Sequence, residues 1–295
     1  MRRRVLVIGA GGQLGRALTE EFFGTHETLE TVYRNPRPDQ KILDLSEFVE
    51  ALRFLDRMRP EWVLIAGAFC HVDRCETEPD LCRQVNVEGT QAVAQWAHGA
   101  KAAVVYYSTD HVFDGTTPSS WETDPVHPLN AYAASKVEGE RVLRAVLPKR
   151  HLILRTSGLY GQDSARKNFV IRLADRLRSG ETVRVPSDQW GSPTYTQDLA
   201  RATRFLLERE LHGTYHATGP DFLSRIELAR RICSDFGLDE RRIIPTPTSE
   251  LRQPARRPLR VRLNTEKLGA TGAPAFHCVQ EGLASLREFV LQGIS

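Results

Sequence analysis

Net charge of one sign is almost absent from this chain: 40 Lys and Arg stand against 37 Asp and Glu among 295 residues, leaving +3 with histidine neutral. So small and dispersed an excess gives no electrostatic footprint for nucleic acid. Long apolar runs are missing too. The basic start Arg2-Arg3-Arg4 leads into only Val5-Leu6-Val7-Ile8 before glycines intervene, which matches neither a secretion signal nor a bilayer span. No membrane association is expected, and the expected location is cytoplasmic. Cysteines are few and unpatterned: Cys70, Cys75, Cys82, Cys233 and Cys278 include no Cys-x-x-Cys and are odd in number, so reduced thiols are expected. The nine histidines show no His-Glu-x-x-His or other ligand spacing, and no protein-bound metal is expected. With 41% hydrophobic and 26% charged residues, disorder is excluded for most of the chain. At roughly 150 residues per domain, the length suits two domains.

What is present is an alternation. Apolar runs at 4–8, 30–33, 62–66, 102–107 and 152–155 read as strands, and segments at 16–23, 48–58, 85–98 and 131–146 carry helical spacing between them. Strands that are continuously apolar and alternate with helices indicate a parallel sheet covered on both faces. The expected fold is therefore α/β, a doubly wound parallel sheet with a smaller C-terminal domain. Residues 1–155 are assigned to nucleotide binding and 156–295 to substrate binding, with some later segments returning to the first domain. Beyond residue 156 helices are expected at 169–177, 196–208, 225–236 and 279–291, with the Pro- and Arg-rich stretch 245–262 as a packed loop.

Gly9, Gly12 and Gly15 fall between the first strand and first helix, flanking Gln13 and Leu14. Missing side chains there let backbone N–H groups and the helix N-terminus approach a pyrophosphate. The spacing is Gly-x-x-Gly-x-x-Gly, that of short-chain dehydrogenases/reductases. Where a carboxylate would bind the ribose 2′-hydroxyl of NAD, the sequence has Tyr33-Arg34-Asn35. Arg34 suits a 2′-phosphate, so NADPH is expected ahead of NADH. Asp44-Leu45 has two readings, a carboxylate near the adenine or an N-terminal charge on the next helix.

Tyr132 and Lys136 are four apart on an expected helix and so share a face. A free tyrosine titrates near pH ~10, and a close ammonium favours phenolate, so that the hydroxyl can exchange a proton with a carbonyl oxygen. Thr109, in Tyr106-Tyr107-Ser108-Thr109-Asp110, ends a strand at the carboxyl edge of the sheet, placed to hydrogen-bond the same oxygen.

The chain resembles the dTDP-4-dehydrorhamnose reductase family of extended short-chain dehydrogenases/reductases. The resemblance is carried by Gly9 to Gly15, His71-Val72-Asp73-Arg74-Cys75-Glu76, Val85-Asn86, Ser108-Thr109-Asp110-His111-Val112-Phe113-Asp114-Gly115, Tyr132 to Lys136, Arg155-Thr156-Ser157 and Asp188-Gln189-Trp190-Gly191-Ser192-Pro193-Thr194. Arg257-Pro258 and Leu263 to Leu268 add to it. It implies a Rossmann-like fold and reduction of the C4 ketone of a nucleotide-linked 6-deoxy-4-keto-hexose by NADPH, with Thr109, Tyr132 and Lys136 catalytic. By the family's pattern Ala66, Gly67 and Ala68 line the cofactor, and Val72 and Asp110 face the sugar. Gln189 and Arg257 are candidates for the nucleotide-sugar side or for structural hydrogen bonds. The chain departs from the pattern at Gly158, where the family commonly has Trp, and at His111, where Tyr is usual. Arg16-Ala17 stands where some relatives have a glutamate of an interfacial magnesium site, so no metal is carried over. A homodimer is compatible with the resemblance. Two other readings stand beside it: a reductase or epimerase for another nucleotide sugar, and a non-catalytic NADP-binding regulatory subunit resembling the methionine adenosyltransferase β-subunit.

Overall fold

The computed structural model describes residues 2–292. In the first strand, β1 (Arg4–Ile8), Val5 and Val7 face one layer of helices while Leu6 and Ile8 face the other. Burial on both faces is what a parallel sheet requires of its central strands. After β1 come α1 (Gln13–Phe22), β2 (Glu27–Val32), the short β3 (Lys41–Ile42), α2 (Phe48–Met58) and β4 (Trp62–Ile65). The two short helices α3 (Val72–Thr77) and α4 (Pro79–Arg83) precede α5 (Gly89–Ala100), β5 (Ala103–Thr109), α6 (Ala131–Val146) and β6 (His151–Thr156). The sheet has seven parallel strands: Gly213–His216, β6, β5, β4, β1, β2 and β3, in that order across it. The strand order reverses between β1 and β4, which opens a crevice at their carboxyl ends.

One expected helix departs from regularity. The segment expected as helix over 85–98 starts with one wide turn, Gln84–Glu88, before α5. The Asn86 carbonyl there accepts from the Thr90 hydroxyl at 2.9 Å and the Tyr106 phenol at 3.4 Å. The Asn86 side chain in this turn bridges other elements, in keeping with the frequent occurrence of such wide turns at functional sites.

The second lobe has its own core, in which Ile171, Ile232 and Leu283 come from the helices Phe169–Arg178, Arg225–Phe236 and Val279–Gln292. The helix Arg225–Phe236 opens with a reciprocal Ser224–Glu227 cap and stops at Gly237 with φ 66°. Two segments beyond residue 156 join the large sheet instead. The helix Thr196–Glu208 packs Leu199 and Leu206 into the same core as Leu14 and Leu18 of α1, and Gly213–His216 pairs with β6. Within the proline-rich stretch, Ile243–Thr246 pairs in parallel with Val183–Pro186, and Ala255 is buried. Among the described residues no helix is long and apolar enough to cross a membrane.

Candidate active site

The crevice between β1 and β4 is built by close backbone approach. Gly9 has φ +88°, and a Cβ there would lie 2.5 Å from the Gly67 backbone. At Gly15 a Cβ would run into the Gly9 carbonyl, so glycine is required at both places. Gly12 precedes α1 in extended conformation and no side chain caps that helix. Its first-turn N–H groups therefore remain available to an anion, with the positive end of the helix dipole behind them. On the facing strand end, the N–H groups of Ala66 and Gly67 both donate to the Ile8 carbonyl, at 3.0 and 2.7 Å. Ala68 continues that wall, half-buried.

The side chains around the motif are less uniform in role. Gln13 donates to the Leu159 carbonyl at 3.3 Å and accepts from Asn168 at 3.1 Å, so it ties the two lobes together. Leu14 is core. Arg34 is exposed at the end of β2, its guanidinium 4.6 Å from the Tyr33 ring centroid. The nearest carboxylate on that strand, Glu30, already accepts from Arg37 and Gln40 at 2.8 and 2.6 Å. Asp44 turns back on Ser46, accepting from its N–H at 2.9 Å and its hydroxyl at 2.7 Å, and Leu45 is buried.

Thr109 ends β5, and Tyr132 and Lys136 lie in the first two turns of α6. That helix is fixed at its start by Asn130, whose side-chain oxygen accepts from the Ala133 N–H at 2.8 Å while its amide donates to the Arg256 carbonyl at 2.8 Å. Asn86 holds the same helix from another side. Its amide donates to Ser135 Oγ at 2.9 Å and to the Phe69 carbonyl at 3.1 Å, and its oxygen accepts from the Phe69 N–H at 2.9 Å. The loop after β4, which carries Ala66 to Ala68, and the helix carrying Tyr132 are thus clamped by one residue.

Lys136 is 2% exposed, with Nζ 3.8 Å from the Tyr106 ring centroid. Burial pushes its ammonium down to about 8, with Glu140 pulling the other way. Burial pushes the Tyr132 phenol well above its ordinary value, and Cys70 and Asp110 add to this while Thr109 opposes it. The expectation that the ammonium would lower Tyr132 is not met. The ammonium rests against Tyr106, and desolvation of the phenol dominates.

Thr109 Oγ1 accepts from the His111 N–H at 3.2 Å and donates to Asp110 Oδ1 at 3.1 Å. Asp110 Oδ2 in turn accepts from the Ser157 hydroxyl at 2.5 Å. The His111 ring meets Tyr132 edge-to-face with centroids 6.4 Å apart, and its Nδ1 is buried without a partner among the described residues. Burial lowers the His111 pKa and so favours the neutral ring. Asp110, His111, Ser157 and Gly158 line a cavity of about 60 Å³ that also receives Arg225. Burial lowers the Arg225 pKa while the Asp110 carboxylate supports its charge. Arg225 was not singled out in the sequence. Its only prior signal was a position directly after a Ser that caps a helix.

Val72 opens α3, half-buried, next to Asp73. The Asp73 carboxylate accepts two hydrogen bonds from Arg257, at 2.8 and 2.9 Å. Gln189 donates to Thr248 at 3.0 Å and to Gln253 at 3.3 Å. Gln189 and Arg257 thus each spend donors within the chain. Gly158 has φ +50°, a conformation in which any residue with a Cβ is strained. Among the described residues no group of three or more His, Cys, Asp or Glu is arranged to hold a metal ion.

The model of the RmlD substrate binding domain matches residues 3–289. A dTDP-4-dehydrorhamnose reductase from Aggregatibacter actinomycetemcomitans is 35% identical over 235 residues, covering 77% of this chain and 76% of that protein. The mouse methionine adenosyltransferase 2 subunit beta is 30% identical over 280 residues, covering 92% and 83%. Among solved structures, a dTDP-4-dehydrorhamnose reductase from Bacillus anthracis in complex with NADP superposes with a TM-score of 0.89 at 31% identity, covering 97% of this chain and 98% of that one.

Proposed function

Because this chain belongs to the dTDP-4-dehydrorhamnose reductase family, we propose that it reduces the C4 ketone of a dTDP-linked 6-deoxy-4-keto-hexose with NADPH, in the making of an activated L-rhamnose. The single observation that carries the reading is the placement of Thr109 and Tyr132 at the carboxyl edge of the sheet, beside a glycine turn whose Gly9 and Gly15 leave no room for a Cβ. The Gly9–Gly15 turn and the uncapped start of α1 suit a pyrophosphate, and Ala66 to Ala68 suit the opposite wall. Arg34, exposed beyond β2 while Glu30 of that strand is already paired, supports the 2′-phosphate form. The bound nicotinamide supplies a hydride to C4. Tyr132 gives its hydroxyl proton to the ketone oxygen, so that ketone, hydride and proton together make the alcohol. Thr109 orients that oxygen with its hydroxyl, Lys136 supports the cofactor ribose, and Tyr132 regains its proton from solvent. Val72, Asp110 and the Arg225 side of the cavity hold the sugar nucleotide. The reduced thiols among the described residues and the dependence on NADPH support a cytoplasmic location.

The mouse relative supports a second reading, a cofactor-binding regulatory subunit. A proton donor and its lysine are not needed for that role, and this favours the enzyme. The deciding experiment is NADPH oxidation by the purified chain with enzymatically generated dTDP-4-keto-6-deoxy-L-sugar, alongside Tyr132→Phe. Tyr132-dependent turnover is expected. Tight NADPH binding without turnover overturns this reading in favour of the regulatory one or of a different nucleotide sugar.

A further inference from the structure

At the opposite edge of the sheet from the crevice, where β4 and β5 begin, lies a hollow of about 380 Å³, within the ~300–1,000 Å³ range of small-molecule sites. Its cations come from three separate connections. Arg59 follows α2, Lys101 follows α5, and Arg150 precedes β6. Two of these stand where glycine is the ordinary residue: Arg59 and Lys101 end their helices with φ 49° and 59°. A left-handed helix end costs a side-chain-bearing residue energy that glycine avoids, so long cations at both positions ask for a reason. A favourable charge at a helix C-terminus is one, and Arg59 meets it, donating to the Asp56 carbonyl at 3.0 Å. That reason does not extend to Arg150, whose Nη1 is buried and has no hydrogen-bond partner among the described residues. Such a group is costly unless something satisfies it.

The acids in the hollow do not supply that partner. Glu210 is paired with Arg3 at 3.1 Å, and Glu61 accepts from the Arg4 N–H at 3.2 Å. Counting Arg3, the lining holds four fixed cations against these two carboxylates. Trp62 in its wall is buried with the Arg3 guanidinium 4.9 Å from its ring, whereas Trp96 is half-buried and faces the hollow. Excess positive charge and an unpartnered guanidinium nitrogen, with the half-buried Trp96 indole in the same lining, match an anion carrying a planar ring.

We propose that this hollow is a second ligand site, distinct from the crevice, that takes a phosphorylated metabolite of nucleotide size, the phosphate meeting Lys101 and Arg150. The test is calorimetric titration of AMP, and separately of inorganic phosphate, into full-length protein already saturated with NADPH and dTDP so that the crevice is filled. One additional AMP site is expected. It weakens at least tenfold in Lys101→Gly/Arg150→Gln, while NADPH binding is unchanged. Glycine at 101 suits the left-handed backbone, so the substitution does not threaten folding. Hydrogen exchange on the wild-type protein gives an independent reading, with AMP slowing exchange around residues 59–62 and 99–103. Absence of additional AMP binding overturns the proposal, as does AMP binding that the double variant leaves intact. Phosphate binding as tight as AMP binding overturns the nucleotide-sized ligand.

Discussion

At the residue scale, Lys136 concentrates the consequences of burying a charge. Its ordinary value of 10.5 falls to about 8 in the fold, which corresponds to ~3 kcal/mol of disfavoured charge at about 1.36 kcal/mol per unit. The unfolded chain holds that proton more tightly, so between pH 8 and 10.5 it binds more protons than the native state. Native stability from this group therefore rises with pH across that window and is lowest below it. Lys136→Met should flatten this rise in urea denaturation at pH 8 and pH 10 while abolishing rapid turnover. For Tyr132→Phe the expectation is a drop in turnover of about 10²–10⁴-fold, with NADPH affinity by fluorescence titration unchanged. Unaltered turnover in that variant removes Tyr132 as the proton donor. Tyr132 and Lys136 were legible because their relation is local, four residues on one helix. The bond from Ser157 to Asp110 and the place of Arg225 were not, because each reaches Asp110's surroundings from another element. Gln189 and Arg257 were legible only as polar residues. Nothing near them in sequence foretold Thr248, Gln253 or Asp73 as their partners.

At the scale of elements, the start of α6 sets where the proton donor stands. Asn130→Ala removes both the cap on Ala133 and the bond to the Arg256 carbonyl. The expected result is a loss of about 1 kcal/mol in stability and a fall in kcat larger than any change in cofactor binding, measured by denaturation and steady-state kinetics. The glycine turn answers differently. Gly9→Ala meets both a positive φ and the Gly67 backbone, so cofactor binding should be lost together with ~1–3 kcal/mol of stability, the usual range for overpacking. Most elements could be read from apolar runs and helical spacing, since burial on two faces leaves a plain pattern. The wide turn at Gln84–Glu88 could not, because it is local to a carbonyl that also accepts from the distant Tyr106 phenol, a contact that no periodicity reveals.

At the scale of the whole molecule, the lobes are joined across the site by specific side-chain contacts. Arg257 clasps Asp73 of α3 from the C-terminal segment, and Gln13 reaches Leu159 and Asn168. Asp73→Asn should raise KM for the sugar nucleotide several-fold with little change in kcat or in NADPH affinity. A change confined to kcat would mean that the clasp does not shape the substrate side. The alternation of strands and helices disclosed the large sheet. It did not disclose which late segments complete it, because Gly213–His216 is only four residues long and carries no apolar run of its own.

That late completion bears on how the chain is made. A ribosome that has released everything through β6 has delivered six of the seven strands, and the outer edge of β6 has unpaired amides and carbonyls until Gly213–His216 follows. The helix that covers α1, Thr196–Glu208, emerges only shortly before it. An exposed parallel edge is a template for the wrong partner. The nascent chain thus passes through an interval of vulnerability that closes only when the second lobe is already half synthesised.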